Sequence, residues 1–240
     1  MLHFFTTILL LIPKISMAID HHGRNLRIGM NGDLADVTGA ASDKTVTLKL
    51  TNLAYKQPFG TLFVMVHNAE AELLFEFGWP SSPALAMLAE TGSPMQLLQK
   101  YEGATGVFSV VEIDDFRPLC SQEFCKDNIA EIQVTTTVDF PLVTIASKAV
   151  NTNDCFVAIL GLMVNEAKTV FLDGLDAGSE ENNENCISIP GPACALVEGN
   201  VASGNGEGFV HVHRGFHGIG TLVDEPGYDW RNPMMKVEVM

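Results

Sequence analysis

Residues 45–53 alternate apolar Val46, Leu48 and Leu50 with polar Thr45, Thr47 and Lys49. A period of two predicts a half-buried β-strand. Residues 61–67 are almost continuously apolar, which predicts a strand covered on both faces. Residues 72–78 alternate less regularly and are read as a further strand. Strands are predicted again over 106–113, 129–138, 142–146, 156–164, 169–172, 209–213 and 235–239, with Ile132, Val134 and Thr136 sharing one face. Between them the pattern changes to a helical one. Ser82 at an N-cap and Pro83 at the first helical position open a helix that Gly92 stops. Ser93-Pro94 opens a second short helix ending near Tyr101, and its Met and Leu stripe predicts core packing. Short strands with turn-rich connections predict an all-β fold, an antiparallel β-sandwich with a short helical insertion.

The segment before these strands reads differently. Residues 1–18 hold an apolar run from Phe4 to Ile12, too short for a spanning helix, and end Ser16-Met17-Ala18. Small residues at 16 and 18 suit signal-peptidase cleavage. The run lacks a Lys or Arg before it, and a buried N-terminal strand is the competing reading. Residues 19–44 are a polar leader and 45–240 the folded domain. The expected location is secreted, either extracellular or periplasmic.

Charge narrows the partners. The 240 residues carry 14 basic and 29 acidic side chains, a net charge of −15. Nucleic acid and anionic membranes need basic patches, so neither is an expected partner. No later stretch is long and apolar enough to insert in a membrane.

Five cysteines could pair in an oxidising compartment. Cys186 and Cys194 flank a Pro/Gly-rich turn and could tie off a polar loop. Cys120 and Cys125 could close a second loop. Cys155 is then left over as a small buried side chain. None of the spacings matches zinc ligation.

Two acidic loops carry the candidate chemistry: Asn151-Thr-Asn-Asp154 and Asp176-Ala-Gly-Ser-Glu-Glu-Asn-Asn-Glu184. Oxygen-rich side chains at strand ends suit Ca²⁺. Asp176 could equally cap its own turn. Glu180, Glu181 and Glu184 are read as a solvated face. The Gly-rich run 204–208 lacks the Lys and Ser/Thr of a phosphate loop. His211, His213 and His217 form a second candidate cluster, for Zn²⁺ or Cu²⁺, which His67 could join and for which Glu207 could act as general base. The plain alternative is a hydrogen-bonded polar cluster with Arg214 and Asp229. No H-E-x-x-H motif and no Gly-x-Ser-x-Gly elbow is present.

Several segments together resemble the spondin-N domain family. They are Thr51-Asn-Leu-Ala-Tyr-Lys-Gln-Pro-Phe59, His67-Asn-Ala, Ser82-Pro-Ala-Leu-Ala-Met-Leu-Ala-Glu90, the two acidic loops, Ile189-Pro-Gly-Pro-Ala-Cys194, His211-Val-His-Arg-Gly-Phe-His-Gly218 and Asp229-Trp-Arg-Asn-Pro233. The resemblance implies an extracellular C2-like β-sandwich with one Ca²⁺ site, no catalytic residues, and a cell-surface or matrix protein or glycan as partner. It places the family's aspartates on Asp154 and Asp176. A third acidic ligand falls on Gln133, a departure that weakens the implied site, and Glu131 could replace it only with a shifted register. Two alternatives stand beside this adhesion reading: a metal-dependent hydrolase built on the histidines, and an envelope structural protein without a specific ligand.

Overall fold

A computed structural model describes residues 17–19, 25–27, 43–114, 128–194, 201–224 and 229–240. The Cys120–Cys125 pairing and most of the expected leader lie outside these residues. The chain divides into two units, Met1–Ser42 and Asp43–Met240. In the first, β1 (Met17–Ile19) pairs antiparallel with β2 (Asn25–Arg27).

The second unit is all-β apart from two short helices. Its strands are β3 (Lys44–Asn52), β4 (Leu62–His67), β5 (Val107–Ile113), β6 (Ile129–Thr136), β7 (Leu142–Lys148), β8 (Cys155–Met163), β9 (Lys168–Leu172), β10 (Gly174–Asp176), β11 (His211–Val212) and β12 (Met235–Val239). They form two antiparallel sheets. One has the order β11-β10-β8-β7-β4-β5 and the other β6-β3-β12-β9.

Alternation explains how the sheets pack. Val46, Leu48 and Leu50 of β3, Ile132 and Val134 of β6, and Val237 and Val239 of β12 point to one face. They meet Leu62, Val64 and Val66 of β4 and Val143 and Ile145 of β7 in a shared core. The odd-numbered positions of β4, Phe63 and Met65, point the other way. There they meet Leu85, Leu88 and Ala89 of α1 (Pro83–Thr91) and Leu97 and Tyr101 of α2 (Met95–Tyr101). The larger sheet is therefore covered on both faces, which is why every side chain of β4 is buried. The smaller sheet leaves one face wet.

Helix α1 starts as its sequence dictates. Ser82 Oγ accepts from Leu85 N–H at 3.3 Å, and Gly92 ends the helix at φ 79°, donating its N–H to Leu88 O. Two expectations need correction. Residues 72–78 are a loop: they join no strand ladder, Leu74 and Phe75 are buried beside the helices, and Tyr101 Oη donates to Leu73 O at 3.0 Å. The strand predicted over 209–213 shrinks to two residues. No helix among the described residues is long and apolar enough to cross a membrane.

Candidate metal centre

Strand pairing assembles the site. At one end of the larger sheet Cys155, Asp176 and His211 stand abreast on β8, β10 and β11. Residues directly opposite in a ladder point to the same face, so Asp176 and His211 are brought together by register alone. Glu207, four residues before His211, swings in through a tight turn at Gly208. Gly208 N–H donates to Gly178 O at 2.9 Å. The loops touch backbone to backbone here: a Cβ on Gly178 would lie 2.4 Å from Phe209 O, and one on Gly206 would lie 2.4 Å from Gly178 O. The glycines of 204–208 thus serve close approach of two loops.

The ligand atoms of Asp176, Glu207 and His211 lie within 4.8 Å of one another. His211 Nε2 is 3.8 Å from Asp176 Oδ1 and 3.7 Å from Glu207 Oε2. Both separations are too long for hydrogen bonds. The nitrogen is itself buried and has no hydrogen-bond partner. Two donors each about 2.1 Å from one zinc ion stand about 3.4 Å apart at the tetrahedral angle, so small adjustments would bring these atoms onto a shared cation.

Asn182 organises the surroundings. Its Nδ2 donates to Asp176 Oδ2 at 2.6 Å and to Glu207 Oε1 at 3.2 Å. His213 Nδ1 accepts from Gly215 N–H at 3.0 Å, so the neutral ring carries its proton on Nε2 and donates it to Asn182 Oδ1 at 3.1 Å. Burial, helped by the other two histidines, holds His213 down to about 3, so it is neutral at any ordinary pH. Its Nε2 lies 3.9 Å from Asp176 Oδ2.

The carboxylates are held in an unfavourable setting. Burial pushes Asp176 up to about 7, and the neighbouring Asp154 charge adds to the shift against hydrogen bonds from Asn182 and Gly178. Gly178 N–H donates to Asp176 Oδ1 at 2.7 Å, the turn-capping role that the sequence allows. Asp154 Oδ2 accepts from Ser179 N–H at 2.8 Å and Glu180 N–H at 3.0 Å. Its Oδ1 is buried without a partner, and burial raises this carboxyl above the usual range. The two acidic loops are therefore joined at Asp154.

The other expected residues go elsewhere. Gln133 and Glu131 lie on the exposed face of β6, the edge of the smaller sheet, and the structure does not bring Gln133 to Asp154 and Asp176. His217 leaves its two neighbours and lies 3.5 Å from Glu184 Oε1. His67 sits at the opposite end of the larger sheet, bonded to Thr144 Oγ1 at 2.9 Å. Asp229 Oδ1 accepts from Phe216 N–H at 3.0 Å, and its charge acts on His213, whose Nε2 bonds Asn182 instead. Of the three glutamates read as solvated, only Glu181 is exposed. Glu180 is buried with Oε1 accepting from Ser203 N–H at 3.1 Å, and Glu184 is buried around the backbone of 217–219. Cys186 and Cys194 form a disulfide, and Cys155 is free and fully buried.

Beside this cluster, Lys148 is buried and its ammonium donates to the carbonyls of Ala89, Thr152 (2.9 Å) and Asn153 (2.7 Å). Burial lowers it to about 8 despite the nearby acids. Asn151-Thr-Asn-Asp154 is buried throughout, so that loop staples its neighbours.

Comparison with protein-family models and with curated proteins gives no match for this chain.

Proposed function

We propose that this chain is a secreted, non-catalytic recognition module of the spondin type, with one end clamped by a single divalent cation held by Asp176, Glu207 and His211. The observation that carries the proposal is the buried, partnerless Nε2 of His211 standing 3.7–3.8 Å from two carboxylates. A cation bonded to all three would also offset the burial, and the neighbouring Asp154 charge, that lift Asp176.

The donor set bears on the ion. Ca²⁺ takes six to eight oxygen ligands, whereas one imidazole and two carboxylates suit Zn²⁺ or Mn²⁺. Asp154 Oδ1 would be a further oxygen for Ca²⁺. We favour the zinc-type ion. The role is structural: the clamp would tie β10 to β11 and the loop between them, fixing the surface a cell-surface or matrix partner meets. The Cys186–Cys194 disulfide supports an oxidising, extracellular setting.

A second reading is a metal-dependent hydrolase. Its support is that two of the three ligand side chains reach the surface, His211 24% and Glu207 36% exposed. Against it, Glu207 is committed as a ligand and not as a base, and His213 and His217 have partners of their own.

Calorimetric titration of EDTA-stripped protein with ZnCl₂ and CaCl₂ tests the proposal. It expects one Zn²⁺ per chain, tighter than Ca²⁺, with His211→Ala binding at least tenfold more weakly. Absence of saturable binding by either ion would remove the clamp, and hydrolysis of ester or peptide substrates that needs the bound zinc would favour the second reading.

A further inference from the structure

A second candidate site lies on the helix-covered face of the larger sheet. The loop after β4, the start of α1 and Lys100 of α2 line an open pocket of about 330 Å³. Its wall includes Glu72, Phe75, Glu76, Trp79, Pro80 and Lys100. That volume falls at the lower end of ~300–1,000 Å³ for small-ligand sites.

The chemistry of the wall is unusual for a plain surface. Trp79 is 66% exposed. Leaving so large an apolar ring in water loses stabilisation that burial would give. It is not left free by a floppy backbone. Gly78 N–H donates to Val210 O at 2.9 Å, Val210 N–H donates to Trp79 O at 2.8 Å, and Tyr101 Oη anchors Leu73 O. The loop is pinned on both sides, so the backbone that carries the indole is held in place before any ligand arrives. Preorganisation of this kind lowers the ordering cost of binding.

Charge selects the ligand class. Lys100 Nζ bonds Glu72 Oε1 at 2.8 Å, and Glu76 adds a second carboxylate. An anionic ligand meets two carboxylates, and a cationic one must compete with Lys100 for Glu72. A neutral molecule meets neither penalty. It needs one apolar face for the indole and several hydroxyls that both donate and accept, because the wall offers an ammonium donor beside carboxylate acceptors. A sugar ring in its chair form has that combination: a face of C–H groups and an edge of hydroxyls.

We infer that the cavity between Trp79, Glu76 and the Glu72–Lys100 pair binds a pyranose ring. Trp79 stacks on the ring face, and Glu76 and Lys100 bond its hydroxyls. This site shares no ligand residue with the cation clamp, and the backbone of Val210 joins the two.

The test uses the full chain and intrinsic fluorescence. Trp230 is buried, so Trp79 is the tryptophan that responds to a ligand in the cavity. Methyl glycosides of glucose, galactose, mannose, xylose and N-acetylglucosamine are titrated, with choline chloride as a cationic comparison. The expected result is a saturable blue shift with at least one glycoside and none with choline. Calorimetry with that glycoside should show at least tenfold weaker binding to Trp79→Ala and severalfold weaker binding to Glu76→Gln, with melting temperatures unchanged. No saturation with any glycoside, a response to choline alone, or binding undiminished in Trp79→Ala would each overturn the inference.

Discussion

Asp176 and His211 face each other across the β10–β11 ladder, with His211 Nε2 3.8 Å from Asp176 Oδ1. Their register places a titratable acid and an imidazole side by side on two very short strands. The acid is fully buried, and the imidazole nitrogen has no hydrogen-bond partner. Such a pair is stabilised by whatever positive charge settles between its members.

The first prediction concerns pH. Burial raises Asp176 to about 7 and Glu180 to about 7, far above their unfolded values. For a raised carboxyl the folded state holds a proton that the unfolded state has lost between the two pKa values. The contribution of these two carboxyls to stability without cation is therefore full near pH 4 and falls as pH rises towards 7, while the neutral His213 opposes it with one proton below about pH 6.5. In EDTA the melting temperature should drop by several degrees between pH 4.5 and 7.5. Asp176→Asn should flatten that slope, and bound cation should flatten it too. A melting temperature that rises over this range in EDTA would contradict the assignment.

Lys148 supplies a second. Its ammonium satisfies three carbonyls from α1 and the 151–154 loop. Lys148→Met keeps the stem and removes all three donors, leaving buried acceptors unpaired. The expected loss is about 3 kcal/mol or more in urea unfolding, well above an ordinary surface substitution.

Glu184 gives a third. Its carboxylate collects the N–H groups of His217, Gly218 (2.7 Å) and Ile219 (2.9 Å), and Leu222 N–H donates to its carbonyl. Glu184→Ala should cost about 2 kcal/mol and raise amide exchange at 217–219. Because these bonds lie away from His211, cation affinity should change less than twofold.

A fourth links the clamp to the exposed tryptophan. Glu207 and His211 flank Val210, whose backbone bonds to Gly78 and Trp79. Stripping the cation should loosen this segment and lower the fluorescence anisotropy of Trp79, with recovery on adding Zn²⁺. Equal anisotropy in both states would separate the two sites.

Much of the fold was legible because it rests on local patterns. The alternation in β3, the continuous apolar run of β4 and the Ser82-Pro83 start of α1 each reflect one physical rule acting over a few residues. The loop at 72–78 defeated that reading, since its apolar residues pack on helices that come later in the chain. The site was half visible. Asp176 and His211 were both singled out, but for different ions, because only strand pairing across 35 residues puts them together. Spacing alone suggests Glu207 as a base beside three histidines and gives no signal for Asn182. Their roles follow from the turn at Gly208, where contact between glycines is invisible in sequence spacing. Gln133 was placed by resemblance alone, and the alternation of β6 turns it to solvent.

The most direct measurement is a set of thermal melts at pH 7.5 in EDTA, in excess Zn²⁺ and in excess Ca²⁺, for the wild type, Asp176→Asn and His211→Ala. A cation that binds only the folded state adds about 2.7 kcal/mol at a hundredfold excess over its dissociation constant. For a domain of this size that is a rise of roughly 5–10 °C. The account predicts such a rise with Zn²⁺, a smaller one with Ca²⁺, and neither in the two variants. No shift with either ion, or a full shift that survives both substitutions, would contradict a cation held by Asp176, Glu207 and His211.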